Sequence, residues 1–310
     1  MQTAIYALAL GGAVLAPVLL LLLWRVRRKP PWRLAAILAL PYAMAVWGFL
    51  IEPRLLVVRH VAVMDADWHA KPLRIGVIAD THVPGPNMSP ARVARIVARL
   101  NAERPDIVVL LGDYVGGHDF FNVRSDKERA EIAAGIEAFA RLRAPLGLYA
   151  VLGNHDTWYG DEVVRAALLH AGVTLLDNEG VAIAWGDQPV WLAGLGDITR
   201  RASGAHVDRA LANAPPGSSI LMIAHWPDVF AKVPARVALT LVGHTHCGQV
   251  NLPLVGRLIA ASPTSRRYAC GLYDDGGRKL YVSGGVGTSM IPVRFNAPPE
   301  IAIVTISPEG

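Results

Sequence analysis

The chain has 310 residues, enough for one large catalytic domain or two small ones. Apolar residues make up 53% of it and the mean hydropathy is +0.34, more hydrophobic than a soluble enzyme, with the excess concentrated at the front. The formal charge of +5 is not the signature of a nucleic-acid binder: Arg25, Arg27, Arg28, Lys29 and Arg33 against Glu52 place +4 of it in residues 1–52, and the +1 left over shows no basic cluster for a phosphate backbone.

Residues 1–24 contain no charged side chain and include the run Val18-Leu19-Leu20-Leu21-Leu22-Leu23. At about 1.5 Å per residue, a helix of this length crosses a hydrocarbon core of about 30 Å. A second uncharged run covers residues 34–51, interrupted only by Pro41, which neighbouring helices tolerate inside a bilayer. The expected spans are therefore about 3–24 and 34–51, joined by the five-cation loop 25–33. Cationic loops stay in the cytosol, so everything after Ile51 is expected outside; Arg54 and Arg59 weaken that bias without reversing it. The competing reading is a signal peptide cleaved at Ala43-Met44-Ala45. Such a peptide opens on a charged segment, whereas the first cationic side chain here is Arg25. The expected division is a transmembrane hairpin over 1–52 and a catalytic domain over 53–310.

Beyond the hairpin, short β-branched runs recur at 73–79, 106–111, 148–152, 190–195, 219–224 and 237–242. Each suits a strand buried on both faces. Ser89-Pro90 reads as the cap and first turn of a helix through Arg99, and 127–143 and 161–171 also carry helical patterns. Residues 267–283 read as a β-hairpin around Asp274-Asp275-Gly276-Gly277, and 301–306 as a last strand. Residues 52–72 supply a connector and one edge strand. The expected class is α/β: two packed mixed sheets flanked by helices.

Five polar signatures lie on this frame: Asp80-Thr81-His82, Gly112-Asp113, Gly153-Asn154-His155-Asp156, His225, and Gly243-His244-Thr245-His246. Each follows the carboxyl end of an apolar strand, the edge where α/β sheets bind ligands. Carboxylates and neutral imidazoles suit Mn²⁺, Fe or Zn²⁺. Gly112, Gly153 and Gly243 precede ligand candidates and permit tight turns and close approach.

In this order and spacing the residues resemble the calcineurin-like metallophosphoesterases, over roughly residues 70–306. Asp80-Thr81-His82-Val83-Pro84-Gly85, Gly248-Gln249, Pro292-x-Arg294-Phe295 and Pro298-Pro299-Glu300 resemble the membrane-anchored bacterial branch, which implies the bacterial cytoplasmic (inner) membrane as its location. The resemblance implies an αββα sandwich and two divalent metal ions. One ion would be held by Asp80, His82, Asp113 and His246. The other would be held by Asp113, Asn154, His225 and His244, with Asp113 bridging. It further implies a metal-bound hydroxide as nucleophile, His155 as the group that stabilises the transition state or protonates the leaving oxygen, and Asp156 as its orienting partner. Two ions about 3.5–4 Å apart activate water and stabilise both ends of an in-line displacement.

Cys247 stands where that branch usually has glycine; two free, partly buried thiols are the default expectation for Cys247 and Cys270. His60, His69, His118, His170 and His206 are expected to do ordinary surface or packing work. Trp158 and Tyr159 are candidates for a pocket wall, and Arg294 for a substrate phosphate or a structural salt bridge. The implied activity is hydrolysis of phosphomonoester, phosphodiester or pyrophosphate bonds in a phosphate ester that the bilayer location makes a candidate amphiphile. Members of the branch split UDP-2,3-diacylglucosamine in lipid A synthesis, a cytosolic substrate at odds with an outward domain. A non-catalytic metal-binding envelope protein is the rival from another class; degenerate members lose ligands, and this chain keeps them all together with His155.

Overall fold

A computed structural model describes residues 1–27, 32–117, 121–200, 204–258 and 260–310. The centre of the cationic loop, residues 28–31, and His118 lie outside the described residues.

The chain opens with α1 (Gln2–Arg27) and α2 (Trp32–Val46). The stretches Gln2–Val26 and Ala35–Arg54 are long and apolar enough to cross a membrane, with mean hydropathies of 2.4 and 1.7. Leu8, Val14, Leu19, Ile37 and Leu40 point outward instead of packing, which separates these helices from ordinary core helices. The Tyr42 hydroxyl donates to the Ala13 carbonyl at 2.6 Å and ties the pair together. Past α2 the chain makes a π-turn, Trp47–Ile51, and a 3₁₀ turn, Glu52–Arg54. This foot is seated in the following domain. Buried Glu52 accepts from the amides of Asn296 (2.9 Å) and Ala297 (2.6 Å) and from the Trp47 indole (2.5 Å). The Arg294 amide donates to the Gly48 carbonyl at 2.9 Å.

The first sheet comprises β1 (Val57–Asp65), β2 (Leu73–Ile78), β3 (Ile107–Leu110), β4 (Leu148–Ala150), β5 (Thr174–Leu175) and the last strand of the chain, Glu300–Pro308. The second comprises β6 (Glu179–Trp185), β7 (Gln188–Gly194), β8 (Ser219–Ile223), β9 (Leu239–Val242) and, beyond the small hairpin β10 (Asn251–Leu252) and β11 (Gly256–Arg257), β12 (Gly271–Asp275) and β13 (Arg278–Val282). With Glu300–Pro308 as β14, the strand orders are β1-β14-β2-β3-β4-β5 and β12-β13-β9-β8-β7-β6. β14 runs parallel to β1 and antiparallel to β2, and β2 through β5 are parallel. The other sheet is parallel from β13 through β7, with antiparallel strands at both edges.

The two-residue strand period decides which core each side chain enters. Ile107, Val109 and Leu111 point between the sheets, where they meet Leu192, Leu221, Ile223 and Leu241. Val108 and Leu110 point the other way, onto α3 (Pro90–Ala102), α4 (Asp126–Glu137) and α5 (Asn154–His170). The short helix α6 (Val207–Leu211) and the turn carrying Phe230 cover the second sheet from outside. The result is the expected two-sheet sandwich with helices on its outer faces.

Helix ends differ from the expectations. Ser89 caps α3, its hydroxyl accepting from the Arg92 amide at 3.3 Å, as expected. The helix expected at 127–143 stops at Glu137 and tightens into a 3₁₀ turn, Ala138–Arg141, which drives Phe139 into the core. Its start is fixed by the reciprocal Ser125–Glu128 capping box. The helix expected at 161–171 is only the second half of α5. That helix begins seven residues earlier, and Gly160 (φ 142°, ψ 98°) breaks its regularity.

Candidate metal centre

Each polar signature begins where a strand stops. β2 ends at Ile78 before Asp80 and His82, β3 at Leu110 before Asp113, and β4 at Ala150 before Asn154. β8 ends at Ile223 before His225, and β9 at Val242 before His244 and His246. These strands lie side by side within the two sheets, so residues far apart in sequence meet along one edge. All seven are buried, His244 the most exposed at 9%.

Three groups bring their metal-ligating atoms within 4.8 Å of one another: Asp80, His82 and His246; Asp113, His225 and His244; and His82, Asp113 and His155. Asp113 Oδ2 lies 3.3 Å from His225 Nε2, 3.6 Å from His82 Nε2 and 3.9 Å from His155 Nε2. On the other side, His246 Nε2 lies 3.0 Å from His82 Nε2 and 3.8 Å from Asp80 Oδ1. His225 Nε2 and His244 Nδ1 approach to 3.1 Å.

The chain prepares these atoms for a cation. His225 Nδ1 sits 2.7 Å from the Leu111 carbonyl and His82 Nδ1 3.3 Å from that of Val115, which turns both Nε2 atoms inward. Backbone carbonyls on the outer nitrogen are the usual support for a metal-ligating imidazole. Asn154 Oδ1 is buried with no hydrogen-bond partner among the described residues. An orphaned buried oxygen is what a divalent ion satisfies. The residues present fit a pair of ions.

Five of the seven expected ligands adopt left-handed backbone: Asp80 (φ 56°), His82 (48°), Asp113 (56°), His244 (70°) and His246 (50°). Non-glycine residues rarely stay there unless their surroundings over-determine them. Here the surroundings do. The Asp80 amide donates to Gly112 O and the His82 amide to Asp113 O, both at 3.0 Å, while the His244 amide donates to the Asp80 carboxylate at 3.1 Å. Close packing of the loops requires glycine at 153, where a Cβ would stand 2.2 Å from Asp113 Oδ1.

Charge is strongly coupled across this edge. Burial raises the Asp113 carboxyl, but the imidazoles of His225, His155 and His82 outweigh it and hold the group well below the carboxylate range. Burial likewise lowers His225, yet the Asp113 carboxylate dominates and pushes it up to about 10. Burial lifts Asp80 to about 7 and lowers His82 to about 3, Asp113 assisting the first shift and His155 the second.

Asp156 corrects an expectation. It was expected to orient the His155 ring, but its carboxylate is spent on backbone. Oδ2 accepts from the Asp113 (2.8 Å) and Gly153 (2.9 Å) amides, and Oδ1 from those of Tyr114 (2.8 Å) and Val115 (3.1 Å). It thus clamps the Asp113 loop to the start of α5 and positions two candidate ligand loops at once. His155 Nδ1 instead faces the Gly117 carbonyl at 2.5 Å, and the His155 amide donates to Asp113 Oδ1 at 2.9 Å.

Arg294 makes no salt bridge among the described residues, so that expectation is corrected. Fully buried, it donates to the carbonyls of Gly284 (2.9 Å), Gly287 (2.9 Å) and Ala297 (2.8 Å), and its Nη2 lies 3.3 Å from His246 Nδ1. Trp158 flanks His155 with ring centroids 5.0 Å apart, whereas Tyr159 is buried in the core against Phe121. Trp226, adjacent to His225, lies over His244 at 3.5 Å between centroids and was not singled out in the sequence. Nor was the segment Gly284-Gly285-Val286-Gly287, which folds over Asp80: Gly285 has φ 65°, and a Cβ there would stand 2.7 Å from the Asp80 carboxylate. The repeated glycines were its only signal. Cys247 and Cys270 are paired in a disulfide instead of free, because the β12–β13 region returns Cys270 to the loop that carries His246. His60 and His170 sit at the surface beside Glu103 (3.5 Å) and Glu137 (3.8 Å), as ordinary surface histidines do.

Comparison with known proteins covers the same residues. Residues 73–248 match the calcineurin-like phosphoesterase family profile. The phosphodiesterase YaeI of Escherichia coli (strain K12) is 30% identical over 80% of this chain and 87% of its own. The uncharacterized metallophosphoesterase YkuE of Bacillus subtilis (strain 168) is 29% identical over 68% of this chain and 71% of its own. A transmembrane protein with a metallophosphoesterase domain from Danio rerio is 28% identical over 76% of this chain, which spans about half, 53%, of that longer protein. The profile begins at the first residue of β2 and closes just past the His244–His246 loop, so it encloses every loop that meets at Asp113. The chain belongs to the calcineurin-like phosphoesterase family and is a metal-dependent phosphoester hydrolase.

Proposed function

We propose that residues 53–310 form a dimetal phosphodiesterase or pyrophosphatase, anchored by the hairpin 1–52 in a bacterial cytoplasmic membrane, facing outward and acting on an amphiphilic phosphate ester. Asp80, His82, Asp113 and His246 hold one ion; Asp113, Asn154, His225 and His244 hold the other. The observation that carries this reading is the membership of Asp113 in two of the three groups of converging ligand atoms, the position of a bridging carboxylate. The neutral imidazoles and single amide keep the negative charge low, which favours Mn²⁺, with Fe or Zn²⁺ as the other fitting ions. When bound, such a pair activates water and neutralises charge on a phosphoryl group.

The chain supplies the rest. His155 carries a proton at Nε2 toward the leaving oxygen, while its Nδ1 is held by the Gly117 carbonyl. Trp158 walls the His155 side. Asp156 keeps the Asp113 and Asn154 loops in register, as a positioning residue. Diester chemistry is supported by the name of the Escherichia coli relative, a phosphodiesterase.

Two observations of different kind support the outward face. The loop between the helices is cationic, and Cys247 is bonded to Cys270, a pairing that persists in oxidising compartments. The disulfide weighs against a cytosolic UDP-2,3-diacylglucosamine pyrophosphatase.

The test is an assay of the full chain in lipid nanodiscs with Mn²⁺, against phosphodiesters, UDP-diacylglucosamine and phospholipids, paired with a reporter fused after Gly310. Metal-dependent diester cleavage and an extracytoplasmic reporter signal are expected. A cytosolic signal with selective UDP-diacylglucosamine cleavage would replace this reading with the lipid A one.

A further inference from the structure

Where the second membrane helix enters the domain, a cleft of about 530 Å³ opens between the Arg54–Leu56 segment, the loop 86–89 and the first turns of α3. Arg54, Arg92 and Arg95 line it, and among the described residues no acidic side chain does. Arg92 and Arg95 lie one turn apart on α3, and the fold brings Arg54, 38 residues earlier, to the same cleft. Arg92 Nη1 and Nη2 donate to the carbonyls of Arg54 (3.1 Å), Pro53 (3.0 Å) and Leu55 (3.0 Å), so the arginine is fastened to the residues at which the second span ends. Burial, together with the repulsion of Arg95 and Arg54, depresses the Arg92 guanidinium below its ordinary value.

Three further features ask for an anion. Asn87 lines the cleft with both atoms of its side-chain amide buried and without a hydrogen-bond partner among the described residues. Arg92 Nε is in the same condition. Ser89 caps the 13-residue α3, whose amino end brings partial positive charge to the same wall. Beneath the polar groups, Met88 and Ile96 are buried and present an apolar floor.

We propose that this cleft binds the phosphate headgroup of an anionic membrane lipid, separately from the metal centre. The proposal rests on the membrane-anchored reading, because it is the end of the second span that sets the cleft at headgroup depth. Guanidinium groups pair with phosphate oxygens in a fixed fork, and basic pockets beside spanning helices take up anionic headgroups. The unpartnered Asn87 amide completes the donor set, and Met88 with Ile96 accommodates the glycerol and first methylenes. Bound lipid would brace the Gly85–Met88 turn, which follows directly on the His82 loop.

The experiment uses the full chain in nanodiscs of phosphatidylcholine with a minority of phosphatidylglycerol, with retained lipid counted by native mass spectrometry. Flotation with pure phosphatidylcholine vesicles tests anchoring by itself. Selective retention of one phosphatidylglycerol is expected, reduced about fivefold by Arg95→Gln and further by Arg54→Gln with Arg95→Gln, at unchanged flotation. Arg236→Gln, an exposed cation elsewhere, should change nothing. Equal retention of both lipids, or equal loss in Arg236→Gln, overturns the site. Displacement by millimolar inorganic phosphate overturns the lipid as its occupant and assigns the cleft to free phosphate. Failure to float overturns the anchored reading, and with it the proposal.

Discussion

Asp113 and Arg92 sit in two regions of one domain that handle charge in opposite ways. Around Asp113, buried acceptors converge: a second carboxylate and inward-turned imidazole nitrogens, on a chain that also leaves the Asn154 amide oxygen buried and unpartnered among the described residues. Around Arg92, donors converge, and among the described residues no acid lines the same cleft. The first region is short of cations and the second of anions. The first is locked by backbone clamps and strained loops, while the second rests on exposed arginines and one fastened to the foot of a helix. Residues that must hold a geometry are over-determined by the backbone; residues that need only gather charge are not.

That contrast can be broken most sharply at its centre. Asp113→Asn should lower hydrolysis by about 10³-fold or more, because it removes the carboxylate shared by two ligand groups. His155→Ala should lower it by about 10²- to 10⁴-fold while leaving metal content near that of the unaltered chain. If the two variants lost metal equally, His155 would be a ligand and its role as acid would fall.

Asp156→Ala tests clamping against chemistry. It leaves four buried amides without their acceptor, so it should cost about 3 kcal/mol or more in denaturant unfolding, and activity should fall through lost metal affinity. A variant of normal stability with a selective loss of kcat would restore a direct role on His155. Glu52→Ala, at the other region, should cost about 1–3 kcal/mol by freeing the Asn296 and Ala297 amides, with kcat little changed. Truncation at residue 53 should behave in the same way, since it removes the same carboxylate.

Acidity separates the regions more gently. In the metal-free chain the Asp113 carboxylate pushes His225 up to about 10, and a metal needs that imidazole neutral. Loading therefore expels a proton, and metal affinity should rise as pH rises, by about tenfold per unit for each proton released. Chelator competition at pH 6.5 and pH 8.5 measures this; an affinity independent of pH would remove the Asp113–His225 pairing from the metal-free state.

The candidate ligand residues that the fold brings together were legible because they are chemically unusual types at the ends of apolar strands, and the strands announce themselves by β-branched runs. The two apolar helices, long enough to cross a membrane, were legible through length and hydropathy alone. Asp156 was misread because its partners are amides, which every residue carries and no side-chain pattern marks. The partners of Arg294, carbonyls of a glycine-rich segment, and of Glu52, which reaches across 245 residues to Ala297, are backbone groups that no side-chain pattern marks either. The disulfide was missed because two cysteines give no framework, and only the return of β12 toward the His246 loop brings them together. The arginine cleft gathers residues from two elements that are silent apart.

Metal stoichiometry of the full chain, measured by elemental analysis on the unaltered protein and on Asp113→Asn in parallel with hydrolysis, bears most directly on the bridging carboxylate. Two ions per chain are expected in the unaltered protein, with both the metal and the activity collapsing in the variant. Two ions retained by Asp113→Asn with undiminished turnover would contradict a centre built around Asp113.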